Sequence, residues 1–316
     1  MVSRQEAIHV VIPSWRGAAH LAQLLPGIAA QTLQPAEVLI VDGASEDGSQ
    51  EIAQQFGARF LNLGSKLGFA AAVNRGIGET GGAWVAVLNN DLRLAPDWLE
   101  QLAKARAPFA VGKLLQWAQP DRLDATWDLP SLSGVPMRAG HGQPDGAFWN
   151  QDREIDVAPW TAILISRAYW DATGGLDEAF GSYLEDVDIG LRGAKLGFRG
   201  AYRPAAVAWH KGSSTLGPWH PNQVRLTARN QLRLIAKHGG CGWKVFVGQT
   251  LWGLAAARNG CAGPWLEGKW AGRKDLQKMP APSPELRRLE EELFAVGATT
   301  GLRNLDRFWR WYWTLT

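Results

Sequence analysis

Three acidic side chains, Glu185, Asp186 and Asp188, occur within the stretch SYLEDVDIGLRG at residues 182–193. The apolar residues around them repeat at helical spacing, which predicts a helix with one buried face. We expect Glu185 and Asp186 to point away from this face and Asp188 to lie at its edge, paired with Arg192 one turn later. These acids could stabilise the helix dipole by about 0.3–1 kcal/mol each, or one of them could remove a proton from a substrate.

Polar segments also lie at the ends of three of the predicted strands. These segments are PSW at 13–15, DGASEDGS at 42–49 and LNND at 88–91. Ligands of open α/β sheets bind outside the carboxyl ends of the strands, so we expect these clusters to form one site. Asp91 could hold a divalent cation against a diphosphate, because Mg²⁺ usually takes one or two carboxylates plus phosphate oxygens. The alternative is that Asn89, Asn90 and Asp91 cap the turn into the next helix.

The elements that must position these residues alternate between strand and helix. Such alternation predicts a mostly parallel sheet covered by helices on both faces. Residues 113–157 lose this rhythm and predict long loops with short strands, and two further short strands are predicted in FRGAYR and AAVAWH. The predicted strands are 7–13, 36–43, 58–64 and 83–91, and the predicted helices are 17–31, 45–57, 67–77 and 96–106.

Two nucleotide-binding motifs can be set aside. GIGETG at 76–81 matches the glycine pattern of dinucleotide-binding turns, but that motif requires a strand before it and a helix after it. Here a predicted helix precedes the glycines and a strand follows them, so we interpret the segment as a helix end and a loop. The chain also lacks the G-x-x-x-x-G-K-[ST] loop of P-loop NTPases.

The composition is that of a globular protein, with 46% hydrophobic and 20% charged residues. Its two cysteines, Cys241 and Cys261, have no metal-ligand spacing and suit a reducing compartment. No predicted segment reaches the roughly 18 apolar residues of a membrane span, and no signal-peptide pattern precedes the first strand. We therefore expect a cytoplasmic protein.

The charge is distributed unevenly along the chain. Residues 1–220 carry 18 Lys and Arg against 23 Asp and Glu, whereas residues 221–316 carry 15 against 7 and seven of the 17 tryptophans. This second part is predicted to be helical over 221–238, 243–258 and 284–296, the last following Ser283 as an N-cap.

Basic and aromatic residues are interleaved at the end of this part, in LRNLDRFWRWYWTLT. We hypothesise that this end attaches to the anionic inner face of the plasma membrane; alternatively, its aromatics pack on the rest of the protein. We expect no nucleic-acid partner, since no recognisable module accompanies these residues.

The ordered motifs VVIPSW, VDGASEDGS, GFAAAVNRG, LNND, YLEDVDIGLR and VAWHKGSS resemble those of family 2 glycosyltransferases, especially rhamnosyltransferase-like members of bacterial cell-surface polysaccharide synthesis. The resemblance covers about residues 7–215. It implies an α/β, GT-A nucleotide-diphospho-sugar transferase fold over 1–220, with nucleotide-sugar binding at about 7–112 and acceptor binding and catalysis at about 113–220. The basic, Trp-rich helical region 221–316 would be a C-terminal appendage.

The resemblance also implies a role for individual residues. Asp186 matches the catalytic base, and Glu185 beside it would tune the pKa of Asp186 or bind the acceptor. Asp91 and the later His210 would hold a divalent cation, Mg²⁺ or Mn²⁺. The nucleotide-sugar would be bound by Pro13, Ser14, Asp42, Ser45, Gly68, Asn74, Arg75, Asn89 and Asn90.

We therefore expect a metal-dependent inverting glycosyltransferase that moves rhamnose from dTDP-rhamnose to a saccharide or lipid-linked saccharide. The alternatives are a UDP-sugar transferase for a hexose, N-acetylhexosamine or galactofuranose, and a catalytically silent carbohydrate-binding homologue. A sugar nucleotidyltransferase is disfavoured because PSWRG lacks the glycine-rich basic loop of that class. The chain departs from the family pattern at Arg16, where a small polar residue or Asn is usual, and at Asn89, which replaces the first acid of D-x-D.

Overall fold

A computed structural model describes residues 7–212, 219–277, 279–301 and 307–316. Its first part alternates strands and helices as predicted, because continuous apolar runs form buried strands and amphipathic segments cover them. The elements are β1 (Ile8–Ser14), α1 (Ala18–Ala29), β2 (Glu37–Asp42), α2 (Ser49–Gln55), β3 (Arg59–Asn62), α3 (Phe69–Gly78), β4 (Trp84–Leu88), β5 (Leu92–Leu94) and α4 (Trp98–Ala103).

The middle of the chain contains short strands around longer ones. In order they are β6 (Phe109–Gln116), β7 (Leu123–Ala125), β8 (Asp128–Leu129), β9 (Met137–Arg138), β10 (Arg153–Ile155), β11 (Ala162–Ser166), the helices α5 (Arg167–Thr173) and α6 (Glu185–Lys195), and β12 (Gly200–His210). Five helices follow, and they are α7 (Pro221–His238), α8 (Gly242–Arg258), α9 (Ala262–Gly272), α10 (Pro284–Thr300) and α11 (Arg307–Leu315).

The main sheet of the described residues has the order β10-β12-β6-β11-β4-β1-β2-β3, with β5 and β7 added at its side. The strands β4, β1, β2 and β3 run parallel to one another. β11 then runs antiparallel to both β4 and β6. The sheet is therefore mixed, with a parallel half and a more irregular half that meet at β11.

Several elements differ from the sequence predictions. The segments FRGAYR and AAVAWH form one strand, β12, whose register shifts between Arg203 and Val207. α2 begins only at Ser49, later than predicted. The residues before it form a turn, in which Asp42 accepts a hydrogen bond from the Ser45 amide and Asp47 accepts one from the Ser49 hydroxyl. The sequence analysis also missed β11, α5 and α9. In agreement with the sequence interpretation, GIGETG forms the end of α3, with Gly76 and Gly78, and the loop before β4, with Gly81.

Burial of α6 is the main correction to the predicted acidic helix. Asp188 is fully buried and Glu185 is 5% exposed, although Glu185 was expected to point away from the buried face. The reason is that α6 is covered on several sides: Gly190 lies against Val157, and His238 of α7 bonds Asp188. The predicted pairing of Asp188 with Arg192 is confirmed, at 2.9 Å.

The turn before α6 is held in an unusual backbone conformation. Tyr183 and Leu184 have φ angles of 73° and 69°, in the left-handed region that non-glycine residues rarely adopt. The buried side chain of Asn230 in α7 donates hydrogen bonds to the carbonyl oxygens of Ser182 and Tyr183, at 2.9 and 2.7 Å, and to that of Phe180 at 3.0 Å. α7 therefore fixes the conformation from which α6 begins.

The C-terminal helices pack on the sheet domain and share its largest apolar cluster. α10 begins at Ser283, which caps it as predicted by accepting a hydrogen bond from the Leu286 amide. In α11, Trp309 and Tyr312 are buried, Phe308 and Trp313 are partly buried, and Trp311 is exposed. Most of the terminal aromatics thus belong to the core, and residues 302–306 lie outside the described residues. None of the helices within the described ranges combines the length and apolar character needed to cross a membrane.

We predict that Asn230→Ala destabilises the protein by about 2 kcal/mol, because it removes buried hydrogen bonds to the turn before α6. The midpoint of urea unfolding measures this loss. Asn222→Ala is the matched control, since Asn222 lies exposed in the first turn of the same helix. Equal stability of the two variants would contradict the assigned role of Asn230.

Candidate active site

Asp91 and His210 are brought together by strand pairing. Residues 92–94 form β5, which runs antiparallel to the end of β12, with Leu92 opposite His210. This register places the Nε2 atom of His210 3.3 Å from Oδ1 of Asp91, and both residues are 8% exposed. The two residues predicted to hold a cation are therefore neighbours in space.

Asp124, which the sequence analysis did not identify, orients this histidine. It lies in β7, and its Oδ2 is 2.8 Å from Nδ1 of His210, so that Nε2 faces Asp91. Burial alone would lower the pKa of His210, but the hydrogen bonds with Asp124 and Asp91 outweigh burial and raise the pKa to about 9. Burial alone would raise the pKa of Asp124, whereas the His210 hydrogen bond and the charge of Arg138 lower it to about 2. Without a metal, the two flanking carboxylates favour the protonated form of His210.

The ends of β1, β2 and β4 form a second polar group, as predicted from the sequence. Ser14 lies opposite Asp42 in the strand register, and its hydroxyl accepts a hydrogen bond from Asn90 at 3.1 Å. Asp42 is fully buried and accepts hydrogen bonds from the backbone and hydroxyl of Ser45, at 2.6 and 2.9 Å. Because Asn90 directly precedes Asp91, this group adjoins the Asp91–His210 pair.

Basic and aromatic side chains lie next to this polar group at the strand ends. The Lys66 ammonium lies 3.2 Å from the centre of the Trp15 ring, and the Arg16 guanidinium carbon lies 4.9 Å from it. Burial, together with the charge of Arg16, lowers the pKa of Lys66. Arg16 also has a positive φ of 50°, and its amide donates to the Ser45 hydroxyl. Two cations thus lie beside the strand ends.

The other predicted nucleotide-sugar residues lie in different surroundings. A Cβ atom at Gly68 would lie 2.6 Å from the Gly181 carbonyl oxygen, so this glycine allows α3 to approach the turn before α6. The Asn74 side chain donates to the Leu176 carbonyl at 2.9 Å, in the segment between α5 and that turn. Arg75 pairs with Glu79 at 3.1 Å. Pro13 is half-buried in β1, and Asn89 donates its backbone N–H to Thr161.

The acids of α6 face a third group of charges. Burial raises the pKa of Asp186, and the positive charge of Arg138 offsets part of this rise. Burial and the neighbouring charge of Asp186 raise the pKa of Glu185 well above its usual range. Asp128 responds in the same way, with its pKa raised to about 7. Arg138, paired with Asp128 across β8 and β9, interacts with Asp124, Asp128 and Asp186 and so links the α6 acids to the His210 group.

This donor set suits a divalent cation only in part. Asp91 and His210 offer a carboxylate oxygen and an imidazole nitrogen on the same side, and Asp124 supplies the outer hydrogen bond that metal-binding histidines usually have. Within the described ranges, no three His, Cys, Asp or Glu side chains are grouped so as to hold a metal. The residues therefore fit a cation that is completed by diphosphate oxygens.

Sequence reasoning missed Asp124, Asp128 and Arg138, which lie in strands of two or three residues. Strands this short show no recognisable alternation of apolar and polar residues, and the strands with which they pair are distant in sequence. One signal was available: both acids occur in LDATWDL, an otherwise apolar run, and a buried carboxylate requires a partner.

Comparisons with known proteins show similarity to glycosyltransferases. The model of the family described as "Glycosyl transferase family 2" matches residues 9–109. The chain is 26% identical to the N-acetylglucosaminyl-diphospho-decaprenol L-rhamnosyltransferase of Mycobacterium tuberculosis, over 80% of this chain and 92% of that protein. It is 30% identical to the glycosyltransferase AglE of Haloferax volcanii, over 52% of this chain and 60% of that protein.

The fold is also found in solved structures. The chain superposes on GalNAc-T7, crystallised with UDP, GalNAc and Mn²⁺, with a TM-score of 0.62 at 14% identity. The match covers 79% of this chain and 51% of that chain, so it spans about half of the larger protein. This likeness confirms the predicted GT-A fold. Residues 9–109 thus match the family 2 glycosyltransferase model, and the chain as a whole is similar to rhamnosyltransferase-like proteins.

Proposed function

We propose that the chain transfers a sugar, with inversion, from a nucleoside-diphosphate donor to a saccharide carried by a lipid. The observation that carries this proposal is one charged network, in which Asp186 interacts with Arg138, Arg138 with Asp124, and Asp124 with the His210–Asp91 pair. Such a network offers a base at one end and a diphosphate site at the other.

Asp186 would be the base. As the acceptor oxygen forms its bond to the anomeric carbon, the hydroxyl proton passes to the Asp186 carboxylate, and the bond to the diphosphate oxygen breaks with its electron pair. Burial raises the pKa of Asp186, which favours proton acceptance, and the positive charge of Arg138 offsets part of this rise. Glu185, whose pKa is raised by burial and by the charge of Asp186, would bind the acceptor beside it.

The diphosphate would leave from the Asp91 side of the network. A divalent cation, Mg²⁺ or Mn²⁺, would neutralise the charge that develops on the leaving group. Asp91 and His210 would hold this cation, and Asp124 would keep the His210 ring in the binding orientation. Ser14, Asp42, Ser45 and the Asn89–Asn90 pair would bind the nucleotide beside it.

The donor and acceptor are proposed from the mycobacterial relative, whose name gives rhamnose as the sugar and a decaprenol-linked N-acetylglucosamine as the acceptor. dTDP-rhamnose is therefore the first donor to test, and a UDP-sugar is the second. A lipid-linked acceptor also supports the hypothesis that residues 221–316, with their excess of basic groups, bring the protein to an anionic membrane surface.

The proposal as a whole is tested by incubating the protein with individual nucleotide-sugars and Mg²⁺ or Mn²⁺. We expect dTDP-rhamnose to be transferred to a polyprenyl-diphosphate saccharide, with release of dTDP. Transfer from a UDP-sugar instead would show that the donor is a UDP-sugar and not dTDP-rhamnose. An inactive protein that still bound saccharides would support the carbohydrate-binding alternative.

We predict that Asp186→Asn lowers kcat by at least about a thousandfold and changes nucleotide affinity no more than a few-fold, because an amide cannot accept the proton. Single-turnover transfer and calorimetric binding of the nucleotide measure the two effects. Asp171→Asn, at an exposed acid of α5, is the matched control. Retention of most of the wild-type kcat would remove Asp186 from the mechanism.

Asp91→Ala is expected to weaken binding of the nucleoside diphosphate in the presence of Mg²⁺ or Mn²⁺ by about tenfold or more, since one of two protein ligands is lost. Binding in EDTA should change little. Calorimetry with and without metal provides the comparison. An equal loss in both conditions would make Asp91 a structural cap of the strand end.

The protonation of His210 predicts a pH effect on stability in the absence of metal. Its folded pKa of about 9 lies above the ordinary value of 6.5, so its contribution is complete below pH 6.5 and is lost as the pH rises through 9. We expect this loss to be on the order of 2 kcal/mol.

The measurement is urea unfolding in EDTA at several pH values, for wild type and His210→Gln. The difference between the two proteins isolates His210 from Lys269, whose pKa is lowered by burial to about 7 and which makes stability rise with pH over the same range. A difference that stays constant with pH would show that His210 is neutral beside Asp91 and Asp124.

A further inference from the structure

The helices α8 and α9 carry an exposed apolar surface. Eight of the eleven large apolar side chains that are exposed in the described part of the chain follow residue 242. Phe246 and Trp270 are the most exposed of them, at 73% and 68%. Five of the eight lie on these two helices, and we call them the outer face: Trp243, Phe246, Leu254, Leu266 and Trp270.

The packing of the two helices explains why these side chains point outward. α9 lies against α7 through Gly268 and Gly272, where any Cβ would collide with the α7 backbone. Leu266 and Trp270 are each two residues from Gly268 and so lie on the opposite side of the helix. In α8, Gly248 packs on Ser133 in the same way, while Phe246 points away. α8 and α9 contact each other where Gly253 packs on the Trp265 ring, and Leu254 and Leu266 follow these two residues in sequence.

The surroundings of the outer face are basic. Arg258, Arg273 and Lys274 are exposed at the ends of the two helices, and Glu267 is the exposed acid among the residues of α8 and α9. The Arg273 guanidinium stacks on the Trp270 ring, 3.3 Å from its centre. Tryptophan beside arginine matches the interface of a bilayer, where the ring reaches the acyl boundary and the cation meets lipid phosphate.

We propose that the outer face docks on an anionic phospholipid bilayer. The inference deepens the proposed function, on which it rests for the lipid-linked acceptor, and assigns membrane contact to α8 and α9 in place of the packed terminal helix. A second copy of the chain is a poorer occupant, because a two-fold contact would bring Arg258, Arg273 and Lys274 of both copies together.

The position of this surface suits such an acceptor. α9 packs on α7, and Arg229 and Asn230 of α7 bond the turn that precedes Asp186. Only two helix layers therefore separate the bilayer from that turn, a distance of about 20 Å. A short saccharide on a lipid diphosphate would remain within reach of Asp186.

The test is co-sedimentation of the full chain with phosphatidylcholine vesicles, with and without phosphatidylglycerol, at low and high salt. We expect binding that requires phosphatidylglycerol and weakens at high salt. Phe246→Ser/Trp270→Ser should reduce vesicle affinity by about tenfold or more, and Arg273→Glu/Lys274→Glu should do so as well. All four side chains are exposed, so Tm should remain close to that of wild type.

Two matched controls separate this surface from others. Phe56→Ser/Leu196→Ser removes two exposed apolar side chains at the C-terminal ends of α2 and α6. Trp311→Ser removes the exposed tryptophan of α11. Neither control should alter vesicle binding. Absence of binding to anionic vesicles, or equal losses in the controls, would overturn the proposal. So would a dimer in sedimentation velocity that Phe246→Ser/Trp270→Ser dissociates.

The result is distinguishable from failure of the proposed function. Transfer to a water-soluble acceptor analogue reports on the site alone and should be unchanged in Phe246→Ser/Trp270→Ser. A protein that binds vesicles but transfers no sugar would refute the proposed function and leave the docking surface intact.

Discussion

The turn at residues 180–184 determines where the acids of α6 lie. Tyr183 and Leu184 hold left-handed backbone at a cost of about 1–2 kcal/mol each, so the turn persists only because its surroundings impose it. Asn230 supplies that restraint from one side, and the close approach of Gly68 to Gly181 supplies it from the other. The helices after residue 220 therefore contribute to the geometry of the site as well as to its stability.

A second constraint is electrostatic, because several carboxylates are buried close together. Asp124 and Asp188 are each bonded to a histidine and lie near an arginine, and their pKa values are held at about 2. Asp128 shares the charge of Arg138 with Asp186, and burial raises the pKa values of Asp128 and Glu185 instead. One set of acids is thus kept ionised and the other is biased towards protonation, which is the division that acid–base chemistry requires.

The sequence predicted the elements that depend on local pattern. Apolar runs ending in PSW, VDG and LNND identified the strands and the polar edge that Ser14, Asp42 and Asp91 share. It did not predict Asp124 or Arg138, since their positions follow from pairing between distant strands of two or three residues. The burial of Glu185 was also missed, because the covering of α6 by α7 involves residues some 50 positions apart in the chain.

The junction between the two halves of the sheet has a consequence for protein engineering. Residues matched by the family model end at 109, where β6 begins. Across the junction, β11 meets β4 through five paired residues, from Ala162 opposite Leu88 to Ser166 opposite Trp84. A chimera that exchanges the irregular half would keep the parallel half intact if its crossover points preserve this pairing. The junction thus separates two exchangeable parts of the chain, and the pairing of β11 with β4 sets the register in which a new part must join.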